Sequence, residues 1–451
     1  VFCIDTRSDL MRNRLEAINN YPTFGFPGFF GLPLRFHDDN DYGNYNACPI
    51  ILEPKHDMTL TSSNKNISKI IIELNQILSD LKNKQSSSFV FAELAGAFLG
   101  LMIILQNTLT QVFRLIKPKL DSKLQNLKSK QYADKNILSG ISLQDQILYA
   151  STSLKILGMV KDFAPQVVFC GHGSSTRNNP FAASLDCGAC GGHHGVYNAS
   201  VLAQILNNPK VREILKTDDI YIDPQSKFFA ASHDTTIDQL TLVDPNHEAS
   251  TELKSDLGAI STQLGLSKSL DWSETRPEWG LARNAMMVIG PRRITQGLDL
   301  DSRSFLQSYE PELDNDGTFL EILLTAPMLV ANMINMQYFF STNDNDVLGS
   351  FSKPYHNVVG GFGVTKGNSS DLQLGLPLQS VNISEDELYH EPLRLNVFVY
   401  ADPILTQKII NKHNKLQNLI FNNWLKFHLI NCNDNKIYTI DKRGYFYGIN
   451  N

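Results

Sequence analysis

Gln166-Val-Val-Phe-Cys-Gly-His-Gly173 is the stretch that sets the fold class. Its first five residues are short, β-branched and apolar, as in a buried strand, and they run into Gly171-His172-Gly173, as expected where such a strand delivers a residue to a sheet edge. Open α/β sheets place their sites at the carboxyl ends of the strands. The expected fold is therefore α/β, with a Rossmann-like, largely parallel sheet that presents His172 at its edge.

Outward from this strand, the opening of the chain has the same character. Val1-Phe-Cys-Ile-Asp5 reads as a buried strand; Ser8 then caps a helix in which Leu10, Met11, Leu15 and Ile18 recur at helical spacing. A strand with nothing before it and no initiator Met implies a native N-terminal part that this sequence lacks. Residues 21–54 are rich in Gly, Pro and aromatics and read as loop; residues 67–83 return to helical periodicity. Phe89 to Leu105 is the most apolar stretch, but it is seventeen residues long and contains Glu93, so a buried or partner-facing helix is expected rather than a membrane span. Lys117 to Lys135 reads as a solvated helix face or linker. Beyond residue 300 come helical segments, a Gly-rich stretch from Gly360 to Gly367, a strand over Leu395 to Tyr400, and an Asn- and Lys-rich end with an amphipathic helix over 404–430. The expected organisation is a core over 1–300 with a helical insertion at about 60–150, its continuation over 301–400, and a peripheral extension over 401–451.

A chain of 451 residues, 42% hydrophobic, can bury a large core. The formal charge of −6 gives no footprint for a polyanion, so no nucleic-acid partner is expected. Six cysteines are too few for a disulfide scaffold, and their grouping around His172 suits metal binding in a reducing compartment. No charged and then apolar leader opens the sequence, so no secretory signal is expected.

Two clusters carry the chemistry. In Cys3-Ile-Asp5-Thr-Arg7, alternate residues of an extended segment face one side, so a thiolate and a carboxylate can meet one ion. Arg7 keeps that parity and can take Asp5 bidentately, so the carboxylate has two competing partners. With Asp5 on a metal the site is four-coordinate and closed; with Asp5 on Arg7 a position opens to water, whose pKa a bound zinc lowers to about 7. The second cluster runs from Cys170-Gly-His172 to Asp186-Cys187-Gly-Ala-Cys190-Gly-Gly-His193-His194. The residues alone leave open a local site of the C-x-x-C-x-x-H kind, a composite site with Cys3 and Asp5, or no metal.

Taken together, these strings resemble the inorganic carbon transporter subunit DabA family, whose zinc site is similar to that of β-carbonic anhydrases. The likeness runs through Phe2 to Ser8, Thr23 to Gly31, Cys48-Pro49, Gly171 to Pro180, Asp186 to Gly192, His233 to Thr236, Trp272 to Arg283, His356-Asn357, Asp371 to Pro377 and His390 to Arg394. The resemblance implies a Zn2+ ion on Cys3, Asp5, His172 and a cysteine fifteen residues beyond that histidine (187 − 172 = 15), which is Cys187. Cys190, His193 and His194 would then support the site, and Arg7 would pair with Asp5. Unlike the H-x-x-C of ordinary β-carbonic anhydrases, a fourteen-residue loop separates the two ligands here.

The resemblance further implies a peripheral subunit on the cytoplasmic face of the bacterial inner membrane. Its partner would be an integral membrane, DabB-like, cation-translocating subunit, and the pair would take up CO2 or bicarbonate by hydrating CO2 vectorially, with hydration confined to the complex. The alternatives are a free-standing β-type carbonic anhydrase and a structural zinc module. Elsewhere, His233 to Thr236 and Asp238 read as a turn rich in side-chain to backbone bonds, Arg276, Glu278 and Arg283 as buried ion pairs, and Cys48 and Cys170 as packed thiols.

Overall fold

The computed structural model describes residues 1–19, 21–38, 43–49, 51–60, 73–74, 77, 80–81, 84, 86–109, 137–175, 184–236, 238–243, 248–260, 282–349, 373, 375–382, 387–441 and 444–448. Lys117 to Lys135, Arg177, Trp272, Arg276, Glu278, His356-Asn357, Gly360 to Gly367 and Asp371 lie outside them. In chain order the first strands are β1 (Phe2–Cys3), β2 (Gly25–Phe26), β3 (Leu34–Asp38), β4 (Gly43–Ala47), β5 (His56–Leu60), β6 (Gln166–Gly173), β7 (Lys227–Asp234) and β8 (Gln239–Val243). They are followed by β9 (Met286–Gly290), β10 (Ser304–Ser308), β11 (Asn396–Ala401), β12 (Lys426–Asn431), β13 (Ile437–Ile440) and β14 (Phe446–Gly448).

The α/β class holds, with two principal sheets where the sequence suggested one. The first has the order β2-β1-β6-β7-β8 and is parallel except for β8. The second, β10-β9-β11-β12-β13-β14, is parallel over its first four strands and antiparallel over the last two. A small sheet of order β4-β3-β5 shows that residues 21–54 are not wholly irregular. Helix α1 (Ser8–Asn19) forms as its spacing predicts, burying Met11 and Leu15 against Phe2, Cys170, Phe229 and Leu240. The expected helix over 404–430 is instead two helices, Pro403–Lys412 and Asn414–Phe421, followed by β12, which pairs with β11 and β13 inside the second sheet. Asn423, at φ 56°, takes the left-handed conformation that stops the second of these helices.

By its contacts the chain forms two units, one of residues 1–35, 46–56 and 138–451 and one of residues 36–45 and 57–137. Both principal sheets belong to the first, where they meet at a seam between β2 and β10. The Gly25 amide donates to Ser308 Oγ at 2.8 Å, the Gln307 side-chain amide donates to the Gly25 carbonyl at 3.3 Å, and Arg12 donates to the Leu306 carbonyl at 3.3 Å. A buried ion pair reinforces the seam, Arg292 Nε lying 2.8 Å from Glu16 Oε1 on α1. A Cβ on Gly25 would stand 1.7 Å from the Leu306 oxygen, so no side chain fits without parting the seam.

The second unit holds α2 (Ser88–Thr108), the apolar helix that the sequence led us to expect buried or facing a partner. It forms over the expected residues; within this chain most of its apolar side chains are exposed, with Phe91, Ala95, Met102 and Leu105 half-buried. The other long apolar stretch, Thr318–Asn343, is 44% buried and belongs to the first unit. Arg283, also expected buried, is 31% exposed; it pairs with Asp301 at 2.8 Å and lies over the Tyr389 ring.

Gly25→Ala is expected to lower stability by roughly 3 kcal/mol or more through the clash at the seam, and Ser308→Ala by about 1 kcal/mol through one lost hydrogen bond. Denaturant unfolding of the two variants checks the order.

Candidate metal centre

Strand alternation places the first expected ligand. Phe2 enters the core beneath α1, whereas Cys3 joins Cys187, Ala189 and Cys190 in a second buried cluster. The parallel pairing of Phe2 with Cys170 sets β1 beside β6, so the carboxyl ends of both strands, with Cys3 and His172, reach the same edge. Cys187 arrives from the loop after β6 and opens a short 3-10 turn over Gly188–Cys190. The donor atoms of Cys3, His172 and Cys187 all lie within 4.8 Å of one another, and all three residues are buried.

This trio has the chemistry of a metal centre. Neither ring nitrogen of His172, a side chain 2% exposed, meets hydrogen-bond geometry with any partner, an expensive arrangement unless something else takes up the donor or acceptor. Gly28 closes one side: a Cβ there would stand 2.5 Å from the sulfur of Cys187 and 2.7 Å from that of Cys3. A hydrogen bond with Cys187, then burial, pushes the Cys3 thiol well up; burial opposes charge on Cys187, but hydrogen bonds from Cys190 and Cys3 and the neighbouring imidazole hold it well below the usual thiol range. Two close sulfurs beside a buried imidazole form a site that a thiophilic cation fits.

Asp5, the fourth expected ligand, is elsewhere engaged. Arg7 holds it through two parallel contacts, Nε to Oδ1 at 2.7 Å and a terminal nitrogen to Oδ2 at 2.9 Å, and the Arg7 amide adds a third at 3.1 Å. Asp5 Oδ2 still lies 3.4 Å from His172 Nε2, so the carboxylate stands beside the cluster while bound to the guanidinium. Burial works against the charge on Arg7, yet Asp5 keeps its pKa above the ordinary value. Arg7 is further fixed by Thr235 Oγ1 at 3.0 Å and the Leu185 carbonyl at 3.2 Å.

The local alternative is not assembled: among the described residues the metal-binding grouping found is Cys3, His172 and Cys187. Cys190 donates to the Gly28 carbonyl at 3.1 Å, His193 bridges to Cys187 through its backbone, and His194 lies 3.6 Å from Asp186. Of the remaining expectations, the turn after β7 has the predicted side-chain bonds, with Asp234 Oδ1 accepting from the amides of Ser175 and Thr236. Cys170 is packed beside Phe2 and burial pushes its thiol up to about 12; Cys48 is also buried and raised to about 11.

The supporting roles of three residues were not legible in the sequence. Thr235 holds Arg7 because β7 pairs in parallel with β6, His233 opposite His172, a register no local pattern reveals. Gly28 reads as an ordinary loop glycine until the two sulfurs are seen over it. Asn198, fully buried on the helix Val196–Asn207, ties the site loop through the carbonyls of Leu32 at 3.0 Å and Ala47 at 2.9 Å. A polar residue amid the apolar run of that helix was the available signal.

Above the cluster opens a cavity of about 40 Å³. Besides Asp5 and the trio its walls are mainly apolar, with Phe29, Leu52, Phe305, Val330 and Ile334 among them. Such a space takes a small molecule, a single water needing on the order of 10–15 Å³.

An α/β protein with a buried cluster of cysteine sulfurs and an imidazole at the carboxyl edge of a parallel sheet is the class that fold and site define. The family model described as probable inorganic carbon transporter subunit DabA matches residues 1–267 and 259–425. A Legionella pneumophila protein of that description is 39% identical over 98% of this chain and 63% of its own length. Similar proteins of the same description from Haloarcula marismortui and Salinibacter ruber are each 36% identical, over 95% and 94% of this chain and 58% of their own lengths. The chain belongs to the DabA family of inorganic carbon transporter subunits, and it spans roughly three fifths of the length of these curated relatives.

His172→Ala and Cys187→Ser are expected to remove bound divalent metal from the purified chain, and Gly28→Ala to displace it by crowding both sulfurs, whereas His194→Ala should retain it. Elemental analysis of protein purified under reductant, with circular dichroism as the folding control, checks the set.

Proposed function

We propose that the chain carries a zinc centre similar to that of β-carbonic anhydrases, with Cys3, His172 and Cys187 as constant ligands and Asp5 as the interchangeable fourth. We further propose that it serves as the CO2-hydrating, peripheral subunit of an inorganic carbon uptake system on the cytoplasmic face of the inner membrane. Its partner would be an integral membrane, cation-translocating subunit. The observation that carries this reading is the bidentate hold of Arg7 on Asp5 directly beside the three donors.

Zinc held by these residues would supply Lewis-acid chemistry at neutral pH. The chain's own residues determine when and to what that chemistry is offered. Arg7, fixed by Thr235 and the Leu185 carbonyl, keeps the Asp5 carboxylate away from the metal position. When that grip is released, the carboxylate can return to the cluster, 3.4 Å being its present distance from the His172 nitrogen. The apolar walls above exclude bulk water and favour a small uncharged substrate such as CO2 over an anion. A one-way system needs a gate of this kind, because hydration at a permanently open site would run back as readily as forward. We infer that a conformational change in the membrane partner acts on the Asp5–Arg7 pair.

The test uses cells lacking carbonic anhydrase that express the full-length protein with its membrane partner. Growth in air is expected to require both, and to be lost with Asp5→Asn or Arg7→Ala while metal content is retained. Since a buried charge left unpaired costs about 3–5 kcal/mol, the near-isosteric Asp5→Asn is the cleaner variant. Full uptake by Asp5→Asn would overturn the gate, and hydration by the purified protein without its partner would favour a free-standing carbonic anhydrase.

A further inference from the structure

We propose that α2 is a lipid-binding element, lying in the near leaflet of a bilayer with anionic headgroups and giving this chain a membrane contact of its own. The argument starts from where its exposed side chains point. Phe89, Leu94 and Phe98 are 79%, 81% and 66% exposed, and Val90, Leu99, Ile103 and Ile104 are exposed as well. At about 100° per residue, these seven positions are spread around most of the helix circumference. A protein groove covers one stripe of a helix, built from residues at i, i+3, i+4 and i+7, and would leave the others in water. Hydrocarbon surrounds a helix and covers them all.

Topology decides against a simple crossing. At 21 residues the helix is long enough for a span, and Glu93 stands only five residues from its start. The chain, however, passes from the first unit into residues 57–137 and back into the first unit, so the number of crossings in this stretch must be even. The sequence before α2 carries Lys65, Lys69, Glu73, Asp80, Lys82 and Lys84, and the sequence after it carries Arg114, Lys117, Lys119, Asp121, Lys123 and Lys128. Neither can supply a second span without burying several charges in hydrocarbon. A helix that enters one leaflet and stays there meets both conditions, and the flanking sequence is rich in residues of the charge that anionic lipids attract. Glu93 then needs only to reach the interface. This inference does not depend on the zinc centre.

Flotation of the whole chain with vesicles of phosphatidylcholine, alone and with added phosphatidylglycerol, tests it. The chain should rise with both vesicles, more completely with phosphatidylglycerol, and salt should reduce that gain. Leu94→Glu combined with Phe98→Glu should lower the bound fraction roughly tenfold. Should that variant fail to fold, Leu94→Ala with Phe98→Ala should give a smaller loss of the same sign. The proposal is overturned if the parent chain floats with neither vesicle, or if the glutamate variant floats as well as the parent. It is equally overturned if lipid binding is absent and the parent is a dimer that the variant splits, because the face is then an interface between two copies. Metal content, unchanged in these variants, separates this outcome from failure of the proposed function.

Discussion

The parallel placement of β1 between β2 and β6 is the constraint on which the site depends. β1 contributes two residues to the ladder, yet it carries Cys3 to within reach of His172, 169 positions away (172 − 3 = 169). The pairing is supported from beneath, where Phe2 joins the core with Met11 and Leu15 of α1. The same short strand therefore buries an aromatic ring on one face and presents a thiol on the other. Asp5 follows just beyond the strand, and Arg7, in the turn that leads into α1, reaches back to its carboxylate.

Around that strand the structure assembles two kinds of polar interaction with different energetic roles. The pair between Asp5 and Arg7 is buried, bidentate and additionally bonded, so its desolvation is offset by good geometry while the loss of either partner is costly. The buried imidazole, its ring nitrogens outside hydrogen-bond geometry, and the two close sulfurs are of another kind, a group of donors with bonding capacity left over. A carboxylate standing between the two, bonded to one and close to the other, is well suited to switching.

Much of this was written in local pattern. The apolar run to Gly173 and the helical spacing from Ser8 each depend on near neighbours, and each formed as read. Of residues 3, 5 and 7, Cys3 lies with His172 and Cys187, whereas Asp5 is held by Arg7, which sits in a turn and not on an extended segment. What escaped depends on register between distant strands. Thr235 meets Arg7 only because His233 lies opposite His172, and the division into two sheets is fixed at the seam of Gly25 with Ser308. Near the C-terminus the alternation of Phe427 and Leu429 was a strand signal, obscured by a helical period that runs into it and is broken by Asn423. The apolar helix at 88–108 was legible as a helix, but composition alone could not tell burial within the chain from exposure.

The seam between the sheets has a further consequence for the cavity. All three donors come from the first sheet and its loop, whereas Phe305 of β10 and Val330 and Ile334 of the helix Pro327–Asn343 form part of the roof. Coordination and entry are thus mechanically separable. Substitutions in the roof can widen, narrow or reshape the doorway while leaving the donor triangle intact, so sequence drift at those positions can retune access without rebuilding the trio of donors.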